Sequence, residues 1–504
     1  MLRLGDAIQM IPVIRGLKAS FTNARIHALT SNVGRSIFEK ESQVEKVYVL
    51  NKQDISALAS RARKKDLLAA IELLQSDLEP LISQEWDWVI NFSFSFPSAL
   101  LSFMLDAGYR SGYVANRQRQ YLSKEKWFSH SLASFANRRY SNFNWVDIDK
   151  KIIGLPSVPA HPLIDPNPGN LQKAAGYLGK KRFEGEKVIG INPGASGAYK
   201  MWPVEKFGVL SKSLIENQDC RIIIFGGEEE MGLGETIKKY AGDGAEDLTG
   251  KTSLDDLTAF LSLCDVFVSN DTGPMHLASL VGTKVVGLFF NSHFVETGPY
   301  GPGHVAVHPD IPCFPCQGPA KCTHKKCLDY ISPETIEKVI IGGDMKNGSG
   351  SLVTGTPERV RVLMSEFDPW GFLEWIPIDD GSLQFQTVER LLLKVSWCDS
   401  CGVTGASGEE QAAYLRARFQ RHGILDRNGF GSKLEEMVEN WERFKRLIQE
   451  AGKIALELQT QLLRPHPDQT AVKDFGDGLR KVERAISVFR SEERRVGKEC
   501  IVKC

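Results

Sequence analysis

The sequence lacks an excess of charge of either sign. Its 504 residues include 62 lysines and arginines and 62 aspartates and glutamates, so the formal net charge is zero. Proteins that attract nucleic acid through their overall charge carry a basic surplus. We therefore expect no nucleic-acid partner.

Long apolar runs are also missing. None approaches the roughly 20 residues that a membrane-spanning helix needs. The amino-terminal residues Arg3, Asp6 and Gln9 interrupt any apolar core of a signal peptide. With 42% hydrophobic and 25% charged residues, the composition is typical of a soluble globular protein. We expect a cytoplasmic protein whose 10 cysteines are mainly reduced.

Short apolar strands alternate with helices through residues 1–345, which predicts an α/β fold built on parallel sheets. A proline-rich stretch at residues 155–169 divides this alternation into two predicted domains, residues 1–160 and 161–345. Residues 1–4 resemble the end of a strand, followed by an amphipathic helix at 7–18 that Pro12 can kink. Because the first strand of such a domain is central, this short stub predicts that the natural protein starts upstream.

The most informative stretch lies in the second predicted domain. Residues 265–268 predict a buried strand, residues 284–289 a second strand, and the segment between them a helix with Asp271 or Thr272 as its N-cap. The turn then lies at the carboxyl end of a parallel sheet, where α/β domains bind ligands. Its free N–H groups and the helix dipole favour a phosphate, although an ordinary capped helix has the same pattern.

Three further elements also fall at strand ends. Lys200 can neutralise a phosphate, and a carboxylate after Gly226–Gly227 can hold the hydroxyl groups of a ribose. Asp6, from the first domain, would face them across a cleft, where its carboxylate could take a proton from a hydroxyl nucleophile.

Taken together, these motifs resemble glycosyltransferase family 9, the heptosyltransferases of lipopolysaccharide core assembly. The matching segments follow the order of the family; they are Gly5-Asp6 with Pro12, Asn192-Pro193-Gly194 with Lys200-Met201-Trp202-Pro203, Phe225-Gly226-Gly227 with Glu230, Asp247-Leu248-Thr249-Gly250, and residues 269–278. The resemblance implies a GT-B fold, in which two Rossmann-like domains face a cleft. It also implies inverting transfer of heptose from ADP-heptose to a lipid-linked core oligosaccharide, without a cofactor or a metal ion.

The resemblance further implies roles for individual residues. Asp6 matches the catalytic base, Glu230 a donor ribose contact, Asp271 a heptose-hydroxyl contact, and His276 the histidine position of the family. The diphosphate contacts match Lys200, Thr272 and Gly273. The aspartates of the only DxD sequence, Asp147 and Asp149, are expected near the predicted linker rather than in the proposed site, which suits a metal-free reaction. The lipid-linked acceptor implies peripheral contact with the cytoplasmic face of the inner membrane.

Two other functions remain open at this point. One is a GT-B enzyme that uses another nucleotide sugar, and the other is a non-catalytic scaffold with a cysteine-rich zinc module. Cys313, Cys316, Cys322 and Cys327 have the spacing of a small zinc site, or they are reduced structural thiols. The basic and aromatic residues 121–145 could face an acidic acceptor or a membrane, or form a solvated loop and helix.

The remainder of the sequence predicts a different organisation. Residues 346–489 are expected to be a mainly helical extension of unknown role, because apolar residues recur every three or four positions at 434–462. Residues 490–500, RSEERRVGKEC, match the in-frame translation of a common sequencing adapter. We therefore expect residues 490–504 to be foreign to the natural protein.

Overall fold

The computed structural model describes most of residues 3–421. The positions outside the described part are 1–2, 62, 119, 121, 124, 137, 139–140, 157–163, 180–185, 317–321, 323, 343–352, 354, 356, 358, 380–384, 404–407 and 422–504. The predicted long helix at 434–462 and the adapter-like residues 490–504 therefore lie outside it.

The first part of the chain alternates strands with helices, as predicted. Its elements are α1 (Leu4–Gln9), α2 (Ile11–Ser20), β1 (Ile26–Ser31), α3 (Asn32–Phe38), β2 (Val44–Leu50), α4 (Lys52–Ser60), α5 (Lys64–Ile82), β3 (Trp86–Asn91), α6 (Phe96–Met104), β4 (Ala107–Gly112), α7 (Lys126–Ala136) and α8 (Trp145–Ile152). The strands form two parallel pairs, β1 with β2 and β3 with β4. Among the described residues, no strand joins these two pairs.

Leu4, the last residue of the predicted amino-terminal strand, is helical, which corrects the prediction at that position. Leu4 is the first residue of α1, and the carboxylate of Asp6 accepts a hydrogen bond from the backbone N–H of Arg3 at 2.8 Å. This contact satisfies one of the free N–H groups at a helix start and so favours the helix. The predicted helix at 7–18 is interrupted at Met10, and Pro12 lies in the first turn of α2, where its missing N–H costs nothing.

The second part contains an eight-stranded sheet in the order β12-β11-β10-β9-β8-β5-β6-β7. Its elements are α9 (Pro168–Gly179), β5 (Lys187–Asn192), α10 (Val204–Gln218), β6 (Cys220–Ile224), α11 (Met231–Ala241), β7 (Ala245–Asp247), α12 (Leu254–Ser262), β8 (Val266–Asn270), α13 (Gly273–Leu280), β9 (Lys284–Leu288), α14 (Phe294–Thr297), β10 (Val305–Pro309), α15 (Cys327–Tyr330), α16 (Pro333–Gly342), β11 (Val360–Phe367) and β12 (Leu373–Pro377). Strands β5 to β10 are parallel. Their side chains are nearly all buried, as expected for a parallel sheet that is covered on both faces.

The last two strands correct the prediction that the chain is mainly helical from residue 346. Strand β11 pairs antiparallel with β10, with Val307 opposite Val362, and β12 pairs antiparallel with β11. The segment was misjudged because its first six residues are buried on both faces, which removes the alternation that marks a half-exposed strand. Arg361 is the one cation among these six residues, and its Nε atom lies 3.0 Å from the carboxylate of Asp379, which neutralises it.

A second compact unit begins at residue 382. Its described elements are α17 (Phe385–Ser400) and α18 (Gly408–Arg421), which agree with the predicted helical extension. Within this unit the side chain of Gln411 donates a hydrogen bond to Asp399 at 2.9 Å. None of the helices in the described part of the chain has the length and apolarity needed to cross a membrane.

Candidate active site

The turn between β8 and α13 forms the centre of the site. Asp271 and Thr272 connect the strand to the helix, and Thr272 occupies the N-cap position without a side-chain cap hydrogen bond. The helix begins at Gly273, with Pro274 in its first turn. The predicted strand, turn, helix and strand are therefore confirmed, and the turn lies at the carboxyl end of a central strand.

Asp271 is held by two donors. The ammonium group of Lys200 lies 2.9 Å from its carboxylate, and the hydroxyl of Ser292 donates a second hydrogen bond. Burial by itself would raise the pKa of Asp271, but the charge of Lys200, followed by that of His276, holds it below its ordinary value. Asp271 is thus an ionised carboxylate inside the protein. Ser292 follows β9, and no sequence motif pointed to it.

Hydrogen bonds join the turns that follow β5 and β8, two neighbouring strands. The side chain of Asn192 donates to the hydroxyl of Thr272 at 3.3 Å, and the side chain of Asn270 donates to the carbonyl of Pro193 at 2.8 Å. The side chain of Asn270 also accepts the backbone N–H of Trp202 at 3.0 Å. These bonds place the segment that carries Lys200 against the Thr272 turn, so two of the predicted elements meet.

Glu230 is the carboxylate that the glycine turn after β6 directs into the site. It is partly buried, whereas Glu228 and Glu229 are exposed. Its carboxylate accepts the N–H of Gly227 at 2.8 Å and lies directly over Gly194, where a Cβ atom would come within 1.5 Å of Glu230 Oε1. The structure therefore selects Glu230 from the three adjacent glutamates.

Asp6 reaches the site because α1 packs on the start of α13. A Cβ atom at Gly5 would lie 3.0 Å from the ring of His276, and one at Gly273 would lie 3.0 Å from the side chain of Leu4. Asp6 itself is exposed. Helix α1 thus brings an exposed carboxylate next to the anion-favouring helix start.

His276 is buried between two carboxylates. Burial lowers its pKa, while the charges of Asp271 and Asp6 oppose that change. Its Nδ1 atom has no hydrogen-bond partner among the described residues. The imidazole therefore faces both the predicted base and the predicted donor contact.

The structure places the DxD sequence closer to the site than the sequence predicted. Asp149 is buried beside the site, and its pKa is raised well above its ordinary value by burial and by the charge of Asp6. Asp147 accepts hydrogen bonds from the Tyr300 hydroxyl at 2.7 Å and from the Leu373 N–H at 2.9 Å. Helix α8 packs on α2, which brings residues far from Asp6 in sequence close to it. In the described part of the chain, no three His, Cys, Asp or Glu side chains are arranged to hold a metal ion.

The residues that contact the helix and loop after β9, at positions 296–300, are Arg138, Ser141, Asn144, Asp147 and Lys150, and we call this set of contacts the junction. Arg138 Nε lies 2.7 Å from Glu296 Oε2, and the side chain of Asn144 donates to the carbonyl of Gly298 at 3.1 Å. Arg138 is thus paired inside the protein, so it does not present a free charge to an acidic acceptor or a membrane. No sequence motif indicated Glu296, and the two partners are separated by 158 positions.

The four clustered cysteines were expected to be a zinc site or reduced thiols; all four are free thiols here, and no three metal-holding side chains are grouped among the described residues. They do lie near one another. Burial raises the pKa of Cys327 to about 11, and the charges of Cys322, Cys313 and Cys316 add to the effect. The backbone N–H of Cys316 donates to the carbonyl of Asn291 at 3.0 Å. The cysteine segment therefore supports the loop that carries Ser292.

The chain is similar to known glycosyltransferases. Residues 78–327 match the profile of "Glycosyltransferase family 9 (heptosyltransferase)". The chain is 28% identical over 340 residues to lipooligosaccharide heptosyltransferase 2 of Campylobacter jejuni subsp. jejuni serotype O:6, covering 66% of this chain and 94% of the relative. It is 25% identical over 297 residues to lipopolysaccharide core heptosyltransferase OpsX of Haemophilus influenzae, covering 56% of this chain and 80% of the relative.

A solved structure shares the fold. The family 9 glycosyltransferase of Veillonella parvula superposes with a TM-score of 0.56 at 18% identity, covering 67% of this chain and 94% of that one. The profile match and these relatives indicate a glycosyltransferase. The chain is similar to glycosyltransferase family 9 over residues 78–327.

Proposed function

We propose that the protein transfers heptose from ADP-heptose to a hydroxyl group of a lipopolysaccharide core acceptor, with inversion at the anomeric carbon. The observation that carries this proposal is the packing of α1 on α13, which brings Asp6 next to the start of the donor-side helix. The curated relatives act as lipooligosaccharide or lipopolysaccharide heptosyltransferases, which supports heptose as the sugar and a lipid-linked acceptor.

The donor would bind in the second part of the chain, in the GT-B manner, with its diphosphate at Lys200, Thr272 and the N–H of Gly273. Lys200 is paired with Asp271 in this structure, so the diphosphate competes with a carboxylate for the ammonium group. Glu230 is placed to accept the hydroxyl groups of the ribose. Asp271, once released by Lys200, can accept a hydroxyl group of the heptose while Ser292 still holds it.

The chemical step follows from these placements. Asp6 removes the proton of the acceptor hydroxyl, and that oxygen attacks the anomeric carbon from the face opposite to ADP. The bond from this carbon to the diphosphate oxygen breaks, and ADP leaves with the electron pair. The charge that grows on ADP is met by Lys200 and by the N–H groups at the start of α13. We propose that this step uses neither a metal ion nor a cofactor, because one side-chain cation and a helix start already face the leaving group.

The acceptor would reach Asp6 from the exposed side of α1, as its carboxylate is open to solvent. A lipid-linked acceptor requires the enzyme to work at a membrane surface, and we propose the cytoplasmic face of the inner membrane. For this, the enzyme needs only peripheral contact with the membrane surface.

Two variants separate the base from the donor contact. Asp6→Asn should lower single-turnover rates by about 10² to 10⁴ while leaving the calorimetric Kd for ADP-heptose near that of the wild type. Lys200→Met should weaken donor binding as well as turnover, because its charge meets the diphosphate in both the ground and the transition state. UDP- and GDP-linked heptose serve as the control donors and should bind more weakly.

The assignment of Asp6 fails if Asp6→Asn loses donor affinity as badly as Lys200→Met while it keeps its chemical rate. Equal binding of the three nucleotide sugars would instead remove ADP-heptose as the donor.

A further inference from the structure

Two buried polar atoms at the junction have no hydrogen-bond partner among the described residues. They are Oε1 of Glu296 and the hydroxyl oxygen of Ser141, and both residues are 0% exposed. A buried polar group without a partner destabilises the folded protein. Native structures retain few such groups, and those that remain call for a ligand, a water molecule or a functional reason.

The two atoms belong to one cluster. Arg138 Nε donates to Oε2 of Glu296 at 2.7 Å, which leaves the other carboxylate oxygen unpaired. Burial raises the pKa of Glu296, whereas Arg138 and the nearby hydroxyl of Ser141 lower it. Ser141 therefore lies beside the carboxylate, although neither its hydroxyl oxygen nor Oε1 of Glu296 has a hydrogen-bond partner among the described residues.

The cluster borders the donor site. Glu296 lies on α14, which begins two residues after Ser292, and Ser292 donates a hydrogen bond to Asp271. The charge of Asp271 is close enough to raise the pKa of Glu296. Glu296 therefore lies close to the predicted heptose contact Asp271.

The charges of this region select the chemistry of the ligand. Arg138 balances Glu296, and Lys200 balances Asp271, so the region has no net charge to attract an ion. An anion would meet two carboxylates, and a cation would compete with two cations already in place. A neutral group with several hydroxyls can donate to Oε1 of Glu296 and exchange a hydrogen bond with Ser141.

We propose that Arg138, Ser141 and Glu296 form a subsite that binds a hydroxyl group of a sugar substrate, with Arg138 orienting the carboxylate. The sugar is either the heptose of the donor or the accepting sugar, and in both cases the inference rests on the proposed function. Arg138 and Ser141 precede the predicted linker, and Glu296 follows it. Because Ser141 and Glu296 are 0% exposed, the sugar would enter only when these two parts separate.

The test compares Ser141→Ala and Glu296→Gln with Ser211→Ala. Ser211 is also 0% exposed, but its hydroxyl donates to the carbonyl of Phe207 within α10, so it controls for the loss of a buried hydroxyl. Calorimetry gives the Kd for ADP-heptose and for ADP, steady-state rates give the KM for the acceptor, and thermal unfolding gives Tm.

If the donor sugar occupies the subsite, Ser141→Ala should raise the Kd for ADP-heptose about 3- to 10-fold, and Glu296→Gln about 10-fold or more. The Kd for ADP should stay unchanged. If the accepting sugar occupies it, both Kd values stay unchanged and the acceptor KM rises by similar factors. Ser141→Ala should not lower Tm, because it removes an unpaired group, and Ser211→Ala should leave every binding parameter unchanged.

Unchanged values for ADP-heptose, ADP and the acceptor in both cluster variants would overturn the subsite and leave a buried water as its occupant. Equal weakening of ADP and ADP-heptose would overturn it as well, since that pattern reports a general distortion. Failure of the wild type to bind ADP-heptose more tightly than ADP would refute the proposed donor instead. The subsite is then tested with the nucleotide sugar that does bind, by comparing its Kd with that of the corresponding free nucleotide in the wild type and the variants.

Discussion

The carboxylate of Glu230 occupies the space that a side chain at position 194 would need. A Cβ atom at Gly194 would lie 1.5 Å from Glu230 Oε1 and 2.0 Å from Glu230 Cδ. The strand end at Gly194 and the glycine turn after β6 can therefore approach each other only while residue 194 has no side chain.

We expect Gly194→Ala to displace Glu230 and to raise the calorimetric Kd for ADP about 10-fold, the effect of losing one hydrogen bond to a charged group. Gly232→Ala is the matched control, because a Cβ atom at this exposed position of α11 meets nothing within 4 Å. An unchanged Kd in Gly194→Ala would remove Glu230 from the list of donor contacts.

Lys200 should also support the fold, because it neutralises Asp271 in the protein interior. Removal of one partner of a buried ion pair typically costs about 3 kcal/mol or more. We expect Lys200→Met to lose about that much free energy of unfolding at pH 7 in denaturant titrations. The double variant Lys200→Met with Asp271→Asn should regain most of it, since no carboxylate is then left unpaired. A single variant as stable as the wild type would show that Asp271 does not need this cation.

The loss of unfolding free energy caused by Lys200→Met should become smaller as the pH falls. Without the lysine, burial raises the pKa of the Asp271 carboxyl, so the folded variant takes up a proton on acidification. The same denaturant titrations at pH 5 and pH 7 test this expectation. Equal losses at the two pH values would contradict it.

Asp147 should make stability depend on pH in the opposite direction to an ordinary salt-bridged carboxylate. Burial raises its pKa from 3.8 to about 6, so between about pH 4 and pH 6 the folded protein keeps a proton that the unfolded chain has released. The free energy of unfolding therefore falls as the pH rises through this window, by about 3 kcal/mol in total for this group. Asp147→Asn should lack this pH-dependent part of the free energy of unfolding. The pKa of Asp149 is raised as well. Asp149 is present in both the wild type and Asp147→Asn, so its contribution cancels when their free energies of unfolding are compared.

Deletion of residues 490–504 should leave Tm unchanged within error, as expected for an adapter-derived sequence. The check is thermal unfolding of the full and shortened chains, side by side. A loss of several degrees would show that these residues belong to the fold.

The sequence predicted the donor-side elements well because their physics is local. Residues 188–191 form a short apolar run, and β5 spans Lys187–Asn192 around it. Lys200 and Asp271 meet because each follows one of two neighbouring strands, β5 and β8. No local sequence pattern predicts the order of the strands, so the proximity of Lys200 and Asp271 was expected only from the resemblance to the family.

What the sequence could not predict depends on long-range packing. Asp149 lies beside Asp6 only because α8 packs on α2, and the pair Arg138–Glu296 forms only when the chain returns to the junction. Strand β11 was missed because its burial on both faces removed the alternation. In each case a residue was interpreted from its own neighbourhood, although a distant partner decided its position.

Strands β11 and β12 tie the chain beyond the family-matched region to the enzyme's main sheet. A protein cut at residue 345 would turn β10 into an edge strand, with the hydrogen-bonding groups of Val305 to Pro309 on one side open to other chains. It would also lose the Leu373 N–H that holds Asp147. Gene fusions or domain exchanges that preserve activity should therefore join at residues 380–384, after the sheet has been closed off, and shorter versions should aggregate.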